Sequence, residues 1–353
     1  MKGVGRSGAP TMLDVAREAG VSVATVSAFI NNTARVSPGT TGRIETAIRR
    51  VGYQRNAVAR SLKLGKTHTI GLTVPHITNP FFTEVVAVIT QAFDRAGYAV
   101  MLFCTDENLS NQDEQIRLLL DRMVDGLIVA RVGDDEAFGN IVRTAKVPIV
   151  LIDRLCDGID LDAVVLDNKA AVFEAIEYLA RLGHKRIGYI TGETDIATMR
   201  ERDAGYRAAL AARGIAFDPL LVRRGDFHEK DGYSAAMQLM TLPDRPTAIF
   251  SANNPMVVGA MKAIRDLGLR CPEDVSVICF DDFPFADVFQ PQMTTVRQPV
   301  EAIGEQAVAM LLDRINGNAP TDPRRLTLRG RLMIRSSCVA VPAASSEPQS
   351  QSA

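Results

Sequence analysis

The sequence predicts an α/β protein: a small all-α helix-turn-helix unit at the N-terminus, then a two-lobed body with parallel sheets. Three observations carry this reading. The first 65 residues read as short helices with tight turns, the pattern then changes to β-branched runs alternating with helix-length segments, and charge is divided sharply between the two parts. Residues 1–67 hold 11 Lys and Arg against three Asp and Glu, a net of +8, and residues 68–353 hold 29 against 38, a net of −9. A basic unit fused to an acidic one suggests a polyanion-binding module attached to a body with another task.

Within the basic unit, Thr11–Ala19 places Met12, Val15, Ala16 and Ala19 on one helical face, and Gly20 supplies a residue able to take positive φ at the helix end. Ser22 is the N-cap signal for a second helix, with Val23, Val26, Phe29 and Ile30 at helical spacing. Ser37-Pro38 opens a third helix that runs to about Val51, with Ile44, Ala47, Ile48 and Val51 inward. Two helices about a glycine turn, braced by a third, make a helix-turn-helix module. The second helix would then present Val23, Ala24, Ser27 and Ala28, with Ser22 and Thr25 near a phosphate at its N-terminus. A structural three-helix knob is the competing reading.

From His68 onward, strands are predicted at 69–74, 98–103, 126–130, 148–152, 163–166, 186–190, 247–252 and 275–280. Helices are expected between most of them, at Phe81–Arg95, Gln112–Arg122, Asn168–Leu182, Arg200–Ala212 and Met256–Leu267. This alternation predicts parallel sheets with helices on both faces, and so many strands suit two lobes better than one very wide sheet. The stretch after Pro291 reads as strand (TTVRQP), helix (Glu301–Ile315) and an extended basic run, too short for a third lobe and expected to complete both. The tail AASSEPQSQSA is small and polar and reads as disordered.

At 353 residues, 46% hydrophobic and 23% charged, the chain has material for two or three compact units. No apolar run approaches the roughly 20 residues of a membrane helix, and MKGVGRSGAPTMLDV lacks a secretory h-region. The five cysteines are scattered, without a CxxC pair, which points to a reducing cytoplasm and away from disulfides or zinc. No metal and no cofactor is expected. Gly3-Val4-Gly5-Arg6-Ser7-Gly8 spells GxGxxG but follows no strand, so the nucleotide fingerprint is rejected. With no P-loop, GxSxG elbow or HExxH, and with four dispersed histidines, an enzyme reading has no catalytic constellation; His184, in LGHKR, reads as a helix end.

The stretch TMLDVAREAGVSVATVSAFIN…VSPGTTGRIETAIRRVGYQRNAVARSLKLGKTHTIGLTVPHITNPFF resembles the lactose/galactose repressor (LacI/GalR) family of bacterial transcription regulators. The resemblance continues through VDGLIV, VPIVLIDR, LGHKRIGYITG, GYRAAL, FDD, TTVRQPVEAIGEQAV and LMIRSS, from about Thr11 to Ser337. It implies a DNA-binding headpiece (1–55), a hinge helix and linker (56–66), and a body like a periplasmic sugar-binding protein (67–342), followed by the tail (343–353). The N-lobe is expected at about 67–163 and 292–325, and the C-lobe at about 164–291 and 326–342. The implied partners are double-stranded operator DNA, a small-molecule effector and a second copy of the chain. By position, Val23, Ala24 and Ala28 would read the groove, with Ser22, Thr25, Ser27, Asn31, Ser37 and Tyr53 near the backbone. Asn56, Ala59, Leu62 and Lys63 belong to the hinge, with Leu62 as an apolar wedge for the minor groove.

Two departures stand out. Ala28 occupies a position where many members carry arginine, which leaves a methyl-rich reading face suited to thymine methyls. Arg55 replaces a proline common before the hinge asparagine, and reads equally as a surface charge.

In the body, ligands are expected at the carboxyl ends of strands, where loops converge. The resemblance places Phe81 and Phe82 at the pocket wall, although either could be lobe core. It also brings Arg202, Phe227 and Asp281 to positions that contact ligand in relatives. Asp153 ends a strand beside Arg154, where a surface ion pair is the competing reading; Asn253 follows another and can both donate and accept. This set suits a sugar or sugar derivative, with a nucleobase or nucleoside as the alternative. The expected function is a dimeric DNA-binding repressor controlled by that ligand; a sugar receptor without DNA function is the rival.

Overall fold

A computed structural model of the chain describes residues 10–31, 33–53, 65–133, 136–192 and 196–342. The chain divides into two compact units, 1–67 and 68–353, and each is taken by itself. The expected tail lies outside the described residues, as do the glycine-rich start and the hinge residues Asn56, Ala59, Leu62 and Lys63 together with Arg55.

In the first unit, α1 (Met12–Ala19), α2 (Val23–Asn31) and α3 (Pro38–Val51) form the predicted three-helix module. The Asp14 carboxylate accepts from the Thr11 backbone N–H at 2.9 Å, and Gly20 closes α1 at φ 62°, so the turn into α2 rests on a residue with no Cβ. The Ser22 hydroxyl accepts from the Thr25 N–H at 3.1 Å, the N-cap read from the sequence. Val15, Ala16, Ala19, Val26, Ile30, Ile44 and Ala47 make the core. Val23, which the helical spacing grouped with the inward residues, is 41% exposed, because Val26 and Ile30 already fill the space against α1 and α3.

The second unit holds two sheets. The first has the order β11-β5-β4-β3-β1-β2 and is wholly parallel, from β1 (Thr69–Val74), β2 (Ala99–Cys104), β3 (Gly126–Ala130), β4 (Ile149–Asp153), β5 (Asp162–Leu166) and β11 (Arg325–Leu328). The second has the order β12-β10-β9-β8-β6-β7, from β6 (Ile187–Thr191), β7 (Val222–Arg224), β8 (Ala248–Ser251), β9 (Ser276–Phe280), β10 (Thr294–Arg297) and β12 (Arg331–Met333). Among the described residues only β12 runs antiparallel, against β10.

The helices of this unit are α4 (Pro80–Arg95), α5 (Leu109–Asp121), α6 (Glu136–Thr144), α7 (Asn168–Arg181), α8 (Ala197–Ala212), α9 (Glu229–Met240), α10 (Asn254–Asp266) and α11 (Val300–Asn316). Among the described residues no helix is long and apolar enough to cross a membrane.

The lobe limits differ from those expected. Strand β10 pairs with β9 (Thr294↔Ile278, Val296↔Phe280) and so belongs to the second sheet, whereas 292–325 was assigned whole to the first lobe. Strands β5 and β11 pair with each other in the first sheet through Leu166 and Leu328, so limits at 163/164 and 325/326 would cut each strand in two. A strand is accommodated whole because its buried N–H and C=O groups need the ladder along its full length. The chain therefore crosses between lobes after Leu166, after Arg297 and after Leu328. The short β7, and α6 and α9, which had not been singled out, are also present.

Two local features hold this arrangement. Asp162, 2% exposed, accepts from Arg314 on α11 at 2.8 Å and from Arg324 at 2.7 Å, clamping the returning segment to β5. Burial works to raise this carboxyl, but the hydrogen bonds from Arg314 and Arg324 outweigh it and hold the pKa at about 2. In the second lobe, α9 and α10 cross backbone to backbone: a Cβ on Gly259 would collide with the Glu229 carbonyl, and one on Gly232 with that of Met256. Gly259→Ala should therefore destabilise the body by about 2–3 kcal/mol, because backbone cannot move aside as a side chain can. Urea denaturation of the variant checks this, and an unchanged midpoint would show that the helices have room to part.

Candidate nucleic-acid interface and ligand cleft

On α2 the reading face is built from small side chains. Ser22, Val23, Ala24 and Asn31 are exposed, and Thr25, Ser27 and Ala28 are half-buried. The Ser22 and Thr25 hydroxyls lie 2.8 Å apart, and the Asn31 amide donates to Ser27 Oγ at 3.2 Å. Ser37 is exposed and its hydroxyl donates to Thr40 Oγ1 at 2.9 Å, while Tyr53 is half-buried against the three-helix core. Helix α2 carries no charged residue, and exposed Arg35, Arg43, Arg49 and Arg50 lie elsewhere in this unit. The face thus offers methyl groups and hydroxyls; Arg50 pairs with Glu18 at 3.2 Å, and exposed Arg35, Arg43 and Arg49 are placed to meet a phosphate backbone.

The body has a cleft between its lobes. It brings together all seven residues singled out there: Phe81, Phe82, Asp153, Arg202, Phe227, Asn253 and Asp281. Each follows or ends a strand, or sits in the first turn or two of the helix after one, as parallel sheets dictate. Asp153 ends β4 at φ 67°, Phe227 follows β7 at φ 66° and Asp281 follows β9 at φ 71°. Side chains other than glycine avoid that left-handed region, at a cost of order 1–3 kcal/mol each, and here it turns each chain sharply at the cleft floor. Phe227 also needs Gly192: a Cβ there would run into its ring.

The electrostatics are those of charge taken out of water. Asp153, Arg154, Arg202 and Asp281 are each at most 8% exposed. Arg154 lies 3.2 Å from Asp153 and donates to both oxygens of Glu107 at 2.8 Å. Burial works against the Arg154 charge, but Glu107 and Asp153 outweigh it and keep the guanidinium protonated. Arg202 donates to Asn168 Oδ1 at 2.9 Å and to the Ala252 carbonyl at 2.6 Å, with its guanidinium 3.5 Å from the Phe280 ring centre. Asp281 accepts from Gln298 Nε2 at 2.6 Å. Burial pushes the Asp281 carboxyl up to about 6, against the opposing pull of Arg202 and Gln298, and burial also raises Asp153.

For several residues the structure decides between the readings the sequence left open. Asp153 and Arg154 are no surface pair but part of the cleft floor. Phe81 and Phe82, 4% and 5% exposed with ring centres 4.9 Å apart, are wall and lobe core together. Asn253 spends its amide locally: Oδ1 caps α10 at the Met256 N–H (2.9 Å) and Nδ2 donates to the Phe227 carbonyl (3.2 Å). It therefore positions Phe227 more than it faces a ligand. His184 is buried between Thr247 Oγ1 (2.8 Å) and the Val339 carbonyl (3.0 Å), a structural role.

The cleft is also lined by His76, Glu107, Thr198, Met199 and His228, which sequence reasoning missed. No local signal marks Glu107, because its partner Arg154 lies 47 residues away. His76 and His228 come from different lobes and meet edge to face at 5.8 Å. Among the described residues, no group of three or more His, Cys, Asp or Glu could hold a metal ion.

Comparison with known proteins covers both units. Residues 11–56 match the bacterial regulatory proteins of the lacI family, and residues 176–338 match a periplasmic binding protein-like domain. The HTH-type transcriptional repressor CytR of Escherichia coli K12 is 36% identical over 346 residues, 97% of this chain and 100% of the relative. The ribose operon repressor of the same strain is 37% identical, spanning 93% of this chain and 99% of its own. A lac repressor dimer bound to operator and an anti-inducer superposes with a TM-score of 0.84 at 28% identity, over 94% of this chain and 100% of that one.

The raised Asp281 pKa carries a sign. The unfolded carboxyl titrates near 3.9 and the native one near 6, so between these values the native state binds the extra proton and stability falls as pH rises. Urea midpoints of the wild-type body should decline from pH 4 to pH 6, with on the order of 3 kcal/mol attributable to this group. Asp281→Asn should flatten that part of the profile; an identical profile in both proteins would remove Asp281 as the cause.

Proposed function

Because the chain belongs to the lacI family of bacterial regulatory proteins, we propose that it is a transcriptional repressor whose affinity for DNA is set by a small molecule in the interlobe cleft. The observation that carries this is coverage: the likeness to repressors spans 97% of the chain, so the basic unit and the cleft are inherited together. It binds operator DNA as a homodimer and acts in the cytoplasm as a regulator with no catalytic step of its own. The apolar side chains of Phe285, Val288 and Phe289, 66%, 73% and 42% exposed on one loop of the second lobe, support a face that a second copy covers.

In this reading residues 1–55 bind DNA, 56–66 couple them to the body, and the body senses the effector. Val23, Ala24 and Ala28 contact base edges through methyl groups, and Ser22, Thr25, Ser27, Asn31, Ser37 and Tyr53 face the sugar-phosphate backbone. Asn56, Ala59, Leu62 and Lys63 contribute through the minor groove. With no charged group on α2, sequence discrimination leans on operator shape and hinge contacts, and affinity on the arginines around them.

The effector contacts Phe81, Phe82, Asp153, Arg202, Phe227 and Asp281, with Asn253 behind Phe227. Paired carboxylates and a guanidinium suit the hydroxyls of a sugar, which both donate and accept. The three phenylalanine rings favour a second reading, a nucleoside whose base stacks on them. The ligand acts through its differential affinity for two lobe arrangements and cannot shift an equilibrium otherwise.

Selection from a random duplex pool with the full-length chain should yield a near-palindromic site. Gel-shift affinity for that site should fall as salt rises, because each neutralised phosphate releases counterions. Removing residues 1–66 should abolish that binding and leave the body's ligand affinity intact. Arg202→Ala should do the reverse, weakening ligand binding about 10–100-fold with unliganded operator binding retained. Operator binding that survives the deletion would remove residues 1–66 as the DNA-binding unit, and a full-length chain that selects no site would refute the repressor reading and leave a ligand receptor.

A further inference from the structure

Helix α2, VATVSAFIN, holds no Lys, Arg, Gln, Asp or Glu. Val23, Ala24, Ser27 and Ala28 fall at i, i+1, i+4 and i+5, so they lie side by side on one face. Val23 is 41% exposed although it is apolar and β-branched, and Ala24 is exposed beside it.

The polar groups of this helix and its cap are engaged with one another. Ser22 Oγ lies 2.8 Å from Thr25 Oγ1 and accepts from the Thr25 N–H at 3.1 Å. Ser27, half-buried within the patch, accepts from the Asn31 amide at 3.2 Å. Asn31 has the one side chain on α2 able to span a base edge, and it is the last residue of the helix. That places it about 12 Å along the axis from Val23, whereas a recognition helix meets base edges through its N-terminal residues. The N-terminal part of the face is therefore methyl surface.

In the major groove thymine presents the O4 acceptor and a C5 methyl group, and cytosine presents the N4 donor and no methyl. A side chain that neither donates nor accepts cannot tell O4 from N4 and responds only to the methyl. The base 5-methylcytosine carries that same methyl beside the cytosine donor.

We propose that the headpiece recognises the C5 methyl group of operator pyrimidines through Val23, Ala24 and Ala28, and so reads 5-methylcytosine as it reads thymine. This rests on the reading of residues 1–55 as the DNA-binding unit, with α2 in the major groove. The methylation state of the DNA then sets occupancy alongside the effector. Burying one methyl group contributes roughly fourfold in affinity, and about fifteenfold when a dimer meets the same change in both half-sites.

The test is a competition gel shift with the full-length chain on its selected site. Each pyrimidine position is made in four forms: thymine or deoxyuridine opposite adenine, and 5-methylcytosine or cytosine opposite guanine. Each comparison stays within one base-pair type, so the shape and stiffness particular to A·T and G·C cancel. At one or more positions per half-site, thymine should exceed deoxyuridine by about fourfold, and 5-methylcytosine should exceed cytosine by the same factor. That margin should persist as salt rises and overall affinity falls, because an apolar contact releases no counterions. Val23→Ala, which exchanges an exposed residue for a stronger helix former, should shrink the margin at one of those positions. If deoxyuridine matches thymine at every position, or if thymine's margin has no counterpart in 5-methylcytosine, methyl recognition falls and the repressor reading stands. A margin that Val23→Ala leaves undiminished everywhere puts the contact outside this face and overturns the proposal in the same way. If the full-length chain selects no site, the repressor reading fails and takes this inference with it.

Discussion

The body is organised around charge that has been taken out of water. Asp153, Arg154, Arg202 and Asp281 are buried at the carboxyl ends of two sheets, where a lone charge would cost several kcal/mol. Three of them are held by more than an opposite charge beside them: Arg154 by two oxygens of Glu107, Arg202 by Asn168 and the Ala252 carbonyl, Asp281 by Gln298; Asp153 lies against Arg154. The remaining hydrogen-bonding capacity faces the cleft. A polar ligand there exchanges its hydration for groups that are already oriented, which is why so few residues suffice for recognition.

That arrangement makes the cleft sensitive to how the lobes sit. Asp153 and Arg154 belong to the first lobe and Arg202 and Asp281 to the second, while Gln298 lies in a segment joining them. From the floor, Arg154 reaches the Arg131 carbonyl at 3.2 Å, and the Arg131 side chain pairs with Asp113 of α5 at 2.6 Å. A change in lobe geometry therefore alters charge pairs whose strength depends steeply on distance in a low-dielectric interior. The three crossovers keep such a change from being local, because each lobe is completed by chain arriving from the other.

The headpiece works by a different economy. Its core is seven small and aliphatic residues, and its reading helix carries no charge, so cohesion and recognition draw on separate faces. Methyl groups on Val23, Ala24 and Ala28 can distinguish thymine from other bases but make no bidentate contact. Affinity then falls to arginines outside α2, which attract any duplex, and discrimination to its shape and deformability.

Much of this was legible in order along the chain. Helix periodicity with the signals of Ser22 and Ser37-Pro38 located the three helices, and β-branched runs located eight strands to within a residue or two, because both patterns arise from neighbours a few positions apart. The resemblance to a family then pointed to Phe81, Phe82, Arg202, Phe227 and Asp281, and the strand ends to Asp153 and Asn253. What the sequence could not determine was anything that depends on distant pairing. Glu107 is visible only through Arg154, and Asn253 is a cap and a brace for Phe227 only once the loop after β7 has folded over it. The lobe limits follow the ladder partners of β5, β10 and β11. Local pattern records what a segment prefers; which buried charge meets which is decided by the tertiary fold, since only there does desolvation make the pairing compulsory.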